Sequence, residues 1–439
     1  LSAAPEITAV ATGSIGANAS VQLNSNGTVS VVSRATPAIG TKREFNNAGS
    51  SHIAACYNPT DKVVAVAYKT SSGGAVKFGT VSGDEITFGA ATQWSGDTVE
   101  MISMAHDNKD NAYFISYRND DNGYGFVFSL TANGTSYGTK SSAYTWTNNN
   151  AKGSSLVYAA FAEKIIFARL NGTSLLVQTL SHNGTSNPTN GSAVSCDSQS
   201  SGAPSLCVDE TNSKAYLSYY NSNLTEGFTR ILTVSGTSIT QTNASTWHTY
   251  AAYYVKTAYD TTNSKLIVTF TDGQDGEKSK VRAGTINHSN NTISWSNSVE
   301  IDGSGYSSYT GATFNSDRGK IDYYGKDHDS YLYYVEIDAS GTHPTCTTKV
   351  IIDNTTTNNW GSAIFDTNTL QSFFFYQGQS DHGDYISKDS GATTLTAENF
   401  LGFSSAAYTN GQTATINVVG NTTTQSSLTP AQKYYIQLD

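Results

Sequence analysis

Acids, histidines and tyrosines gather at two places where the chain passes from one apolar run to the next. KDHDSY carries Asp327, His328, Asp329 and Tyr331, and SDHGDY carries Asp381, His382, Asp384 and Tyr385. DDNGY ends on a further tyrosine, Tyr124. Two carboxylates held across a bond are what a glycosidase requires, and a histidine beside acids suits proton transfer or a metal. Acids in surface loops are more commonly just solvated. Tyrosine rings stack on sugar faces while their hydroxyls stay hydrated. These nine residues are therefore expected to contact a ligand, with no catalytic residue among them. The stretch DGQDGEK offers Asp272, Asp275 and Glu277 as oxygen ligands for calcium, without the full EF-hand spacing. Calcium is the one cofactor the sequence suggests; otherwise none is expected.

Other chemistries lack their residues. No HExxH, GxSxG or P-loop pattern occurs. A sialidase-like site needs three arginines gathered at one place; of the seven present, Arg118 and Arg169 occupy similar places in adjacent copies, but three at equivalent positions are not evident. The four cysteines, Cys56, Cys196, Cys207 and Cys346, show no metal-ligand spacing. Cys196 and Cys207 are close enough in sequence to pair.

Composition narrows the partners. Asp and Glu number 35 against 25 Lys and Arg, a net charge of -10. Nucleic-acid binders need a basic face to displace counterions from phosphates, so none is expected here. No apolar run approaches the roughly 20 residues of a membrane helix, so no membrane insertion is expected. The start LSAAPEITAV lacks the basic and apolar regions of a signal peptide. Ser, Thr, Asn and Gly dominate, as on an extracellular all-β surface.

The elements that position the loops come from a repeat. It reads AACYNPTDKVVAVAY, MAHDNKDNAYFISY, AAFAEKIIFARL, LCVDETNSKAYLSY, TAYDTTNSKLIVTF, ATFNSDRGKIDYY and AIFDTNTLQSFFFY. The turn position falls at Asn58, Asp107, Ala162, Asp209, Asp260, Asn315 and Asp366, with separations of 49, 55, 47, 51, 55 and 51. Asp or Asn there starts a tight turn by accepting backbone N–H bonds. Each copy holds four short strands, which is a propeller blade rather than a helical solenoid unit. Tyr68, Tyr117, Tyr219, Phe270, Tyr324 and Tyr376 end equivalent strands and are expected in the core between blades.

Phe45 aligns with Trp94 one repeat later, so residues 40–47 are the last strand of a blade. The seventh copy lacks such a strand, and ring closure by residues 40–47 supplies it. The expected fold is all-β: a seven-bladed β-propeller over residues 40–396, with a small β module formed by residues 1–39 and 397–439. ASVQL, TVSVV, ATINVVG and KYYIQL are its expected strands.

KVVAVAY, AVKFGTVSGDEITFG and RILTVSGTSIT resemble a repeat of virion-surface and tail-fibre-like proteins of marine tailed phages and large algal viruses. The ending LTAENFLGFSSAAYTNGQTATINVVG resembles the segment that follows that repeat there. The resemblance implies a virion-surface or extracellular, adhesin-like binding protein. Its partners would be a host surface glycan or protein and other virion or fibre subunits. A structural fibre subunit, homo-oligomeric through its terminal strands, is a second expectation; a propeller-type glycan hydrolase is a third.

Overall fold

The computed structural model describes residues 6–32, 36–302, 308–355, 361–391 and 400–418. The chain divides into two compact units, Ile39–Asp389 and a second made from both ends, Leu1–Ala38 with Ser390–Asp439.

The larger unit is seven antiparallel sheets. In the first blade, Ser51–Asn58, Val63–Thr70 and Gly73–Ser82 pair in order. Its outer edge is two short strands, Glu85–Phe88 and Thr92–Ser95, both paired with Gly73–Ser82. This split edge recurs in the next five blades. The seventh blade is Gly361–Asp366, Gln371–Gln377 and Gly383–Asp389, completed by Arg43–Asn46 from the other end of the sequence. The Gly40 amide extends that pairing by donating to the Ser387 carbonyl at 2.8 Å. The ring therefore closes where the Phe45–Trp94 match places the closure.

The turn residues act as sequence chemistry requires. Asn58 Oδ1 accepts the amides of Thr60 and Asp61, Asp107 Oδ1 that of Lys109, and Asp366 Oδ1 that of Asn368. Asp209, Asp260 and Asn315 do the same. The third blade corrects the assignment to Ala162. Its first strand ends at Ala159, which pairs with Lys164, so Ala159 is the equivalent position. Alanine cannot start an Asx turn. Residues Ala160–Ala162 form a 3₁₀ turn instead, and Glu210 of the next blade accepts the amides of Ala160 (2.8 Å) and Phe161 (2.9 Å).

A second device repeats at the outer edge. Every blade carries a bulge there, whose extra residue is Trp94, Trp146, Cys196, Trp247, Ile301, Ile352 or Phe45. The facing third-strand residue is Gly74, Gly125, Leu175, Gly227, Ser279, Leu332 or Gly383. A Cβ on any of these four glycines would collide with the aromatic ring opposite. Where the glycine is absent, the bulge residue shrinks to Cys or Ile. Glycine opposite an aromatic and a larger residue opposite a smaller one fill the same space. The strand-end aromatics, from Tyr68 to Tyr376, are all buried.

Neighbouring blades are also joined near the axis. Ser103 Oγ accepts the Leu156 amide (3.1 Å), Ser155 that of Leu206 (3.1 Å), Ser205 that of Thr257 (2.9 Å) and Ser362 that of Ala55 (3.1 Å). Ser205→Ala leaves a buried amide without an acceptor and is expected to cost about 1–3 kcal/mol. Urea denaturation reads this, and an unchanged midpoint would mean water substitutes for the hydroxyl.

The smaller unit is one sheet in the order Glu6–Val10, Thr413–Asn417, Phe400–Ser404, Ser20–Leu23, Val29–Val31. Both ends of the chain thus share a sheet, around a core that includes Val21, Val29, Ala414 and Ile416. The expected strand KYYIQL lies outside the described residues. All four cysteines are free thiols, Cys196 and Cys207 included.

Candidate functional site

The first strand of each blade faces the propeller axis and has a bonded neighbour in its sheet only on the side away from it. Together these strands enclose a cavity of about 670 Å³. Its wall includes residues 53–55, 101–104, 152–155, 201–205 and 252–256, with Thr310, Gly361 and Ser362. The volume suits a small ligand or a chain end.

A bulge shapes this wall. Pairing of first and second strands shifts between Ser51 and Ala54, Glu100 and Ser103, Ala151 and Gly153, Ser201 and Ser205, and Tyr253 and Lys256. Each shift holds a residue with positive φ: His52 (48°), Met101 (50°), Gly153 (131°), Gly202 (73°) and Tyr254 (52°). Left-handed backbone costs a non-glycine residue about 1–2 kcal/mol. Three blades carry that cost, and bulges commonly re-aim side chains beside functional sites.

The fifth blade departs most. Tyr253 and Tyr254 line the cavity yet remain 42% and 37% exposed, and nearby Tyr250 is 50% exposed. Tyr220 of the preceding blade meets Tyr253 edge-on at 6.0 Å. Two exposed tyrosines on one cavity wall are an unusual apolar offering in a chain whose other tyrosines are largely interior.

One level deeper, a single repeat position runs round the axis as Ala54, Ser103, Ser155, Ser205, Lys256, Gly311 and Ser362. All but Gly311 line the cavity. Lys256 alone is charged. Burial lowers its pKa, and no carboxylate counteracts that.

The residues expected from the sequence lie elsewhere, apart from Glu277, which reaches the cavity wall. Asp327 is interior: it accepts the Tyr331 amide (2.9 Å) and pairs with Lys349 (3.1 Å), which also holds Asp302 (3.3 Å). Tyr331 itself is half-buried. Tyr385 is buried, and its hydroxyl accepts the Ile86 amide at 2.8 Å. His328 and Asp329 are exposed and 3.7 Å apart. Asp381 Oδ1 accepts from Gln377 (2.9 Å), and His382 Nδ1 is 3.1 Å from Glu44. Tyr124 is at the surface, beside Phe126. Asp272 and Asp275 hold Lys280 between them at 2.9 and 2.8 Å, with His248 at 3.2 Å from Asp272. The structure does not bring these residues into one site.

Asp384 is interior, 3.9 Å from Lys42, and Lys42 pairs more closely with Asp353 (3.2 Å). Burial pushes the Asp384 carboxyl up to about 6. Between the ordinary carboxylate value and that point, the folded protein keeps a proton the unfolded chain has released. Stability therefore falls as pH rises through this window. Asp384→Asn is expected to gain about 1–3 kcal/mol over wild type at pH 8 and nothing at pH 4. Urea melts at both pH values test this, and an equal gain at both would refute the burial argument.

The cavity residues were missed because their signal is brief. In HTYAAYYVK three tyrosines fall within five residues, followed by a lysine where other copies have Ala, Ser or Gly.

No protein family matches the chain, and no curated protein matches its sequence. Solved structures do match. The BP39L lectin from Burkholderia pseudomallei aligns with a TM-score of 0.58 at 10% identity, over 80% of this chain and 98% of the lectin. The protein folds as a β-propeller. A second match is the β-propeller domain of Cps50 (Swd1) from Myceliophteria thermophila, with a TM-score of 0.52 at 8% identity, over 79% of this chain and 98% of that domain. Likeness at such identities carries the fold alone.

Proposed function

We propose that this propeller is a non-enzymatic binding protein of a virion or other extracellular surface, taking a saccharide from a host cell surface into its axial cavity. The observation that carries the proposal is the exposure of Tyr253 and Tyr254 on the wall of a 670 Å³ cavity. Tyrosines that face a cavity in a chain whose described tyrosines are mostly interior are placed for stacking on sugar rings. The lectin among the matching folds agrees with this reading. The cavity wall is mostly uncharged, with serines, alanines, tyrosines, methionines and isoleucines, and among the described residues the charged groups reaching it are Lys152, Lys256 and Glu277. A single carboxylate does not make the acid pair of a glycosidase.

A glycan array followed by calorimetry tests the reading. Wild type is expected to bind a saccharide without releasing products, and Tyr253→Ala is expected to weaken binding about 10–100-fold with an unchanged melting temperature. Binding indifferent to Tyr253 and Tyr254, or measurable turnover, would overturn it.

The terminal sheet favours a second role in fibre assembly. Among the described residues Glu6–Val10 is an edge strand with Ile7 and Val10 exposed, and an open edge accepts a strand from another copy. Replacing Thr8 with proline should then abolish any higher oligomers seen by light scattering while leaving saccharide binding intact. Unchanged oligomers would exclude that edge.

A further inference from the structure

We propose that the ring of Ser103, Ser155, Ser205, Lys256 and Ser362 receives a negatively charged group of the ligand, so that the saccharide bound is an acidic one. The inference rests on the saccharide reading of the axial cavity and adds the chemical class.

The ring is rich in donors. Each serine oxygen accepts an amide of the next blade, which leaves its hydroxyl hydrogen to donate elsewhere. None of the four donates to a protein acceptor among the described residues. Serine at a repeat position is explained by the blade-to-blade bond. Four unused O–H donors round one cavity are a further consequence, and they match an anion's acceptor capacity.

Lys256 supplies the charge. Several interior cations elsewhere are paired with acids: Lys280 with Asp272, Lys349 with Asp327, Lys388 with Asp322, and Arg318 with Glu336; Arg169 donates instead to the Trp146 carbonyl at 2.7 Å and to Gln178 at 3.1 Å. Lys256 has no ion pair or hydrogen bond among the described residues. A half-buried ammonium without a partner is costly, and natural interiors seldom keep one without use. No acid shares its level of the ring. Lys152, three residues before Ser155, lines the cavity at the level of Tyr253. Glu277 belongs to the loop before Lys278–Asn287. An acidic sugar can therefore place its anion among the ring donors while its pyranose face meets Tyr253 and Tyr254. The chain's net charge of -10 repels anions at long range, so the preference must arise from these local contacts.

Calorimetry with galacturonate trimers, a sulfated galactose trimer and the neutral galactose trimer tests the proposal on wild type and Lys256→Ser. Serine is what four other blades carry at this position, so the fold tolerates it. Wild type is expected to bind at least one of the acidic probes about tenfold or more tightly than the neutral one. Lys256→Ser is expected to erase that preference while keeping the melting temperature. Which acidic probe binds distinguishes carboxylate from sulfate. Equal binding of charged and neutral probes, a preference that survives Lys256→Ser, or no binding of either acidic probe would overturn the anion ring. Tyr253→Ala separates the two ideas: neutral binding lost in that variant keeps the saccharide reading while the ring fails. Acidic binding that depends on Lys256 and not on the tyrosines keeps the ring while the stacking reading fails.

Discussion

Lys388→Met is expected to destabilise the propeller by about 3–5 kcal/mol, the cost of breaking a buried charge pair from one side. The Lys388 side chain is 3% exposed and Asp322 is fully buried. The ammonium donates to Asp322 at 2.8 Å and to Glu336 at 3.3 Å, and lies 5.0 Å from the Tyr334 ring centre. Tyr334 and Asn315 also donate to Asp322, at 2.7 and 3.1 Å. Asp322 and Glu336 belong to the sixth blade and Lys388 to the seventh, so the pair ties the two together. Methionine keeps the volume and removes the charge, leaving the Asp322 carboxylate with neutral donors alone. The double variant Asp322→Asn/Lys388→Met removes both charges and should recover most of the loss. Urea denaturation followed by tryptophan fluorescence measures each. A single variant within about 1 kcal/mol of wild type would show that the neutral donors suffice.

Phe45→Ala is expected to cost a similar amount, about 3–5 kcal/mol, from lost transfer energy and the cavity left behind. Phe45 is 3% exposed and lies 5.2 Å from Tyr68 and 5.9 Å from Phe375. Its ring fills the space above Gly383, where a Cβ would collide with it. Trp94→Ala makes a comparable hole, but Trp94 lies on the same continuous segment as the rest of its blade. Phe45 sits on the strand that closes the ring, with 337 positions between Asn46 and its partner Gly383. Its loss should therefore raise hydrogen exchange in residues 43–58 and 361–389 and spare residues 151–260. A uniform rise round the ring would mean the closing strand is no weaker than any other junction.

Seven copies of one turn and strand pattern determine the number of blades. The Asp or Asn of each turn has its partners two or three residues away, so its role follows from chemistry within a few positions. The third copy misleads for the same reason: without a carboxylate or amide there is no local signal, and Ala162 looks as plausible as Ala159. The closing strand was also legible, because Phe45 had to fill the place that Trp94 fills one repeat later.

The candidate site is a different case. In a strand, side chains alternate between faces, and a one-residue shift reverses every assignment beyond it. The bulge between Tyr253 and Lys256 is such a shift, and it sets which residues face the axis. The acid loops looked like the site because acids, histidines and tyrosines stood together there. Lys349 and Lys280 lie 22 and 8 positions from Asp327 and Asp272, and only packing joins them. Repeat sequence thus determined the blades and their turns through interactions between near neighbours. Tertiary structure decided the cavity, the place of Lys256 on its wall and the buried charge pairs, because those depend on strand register and on contacts between blades that periodicity does not encode.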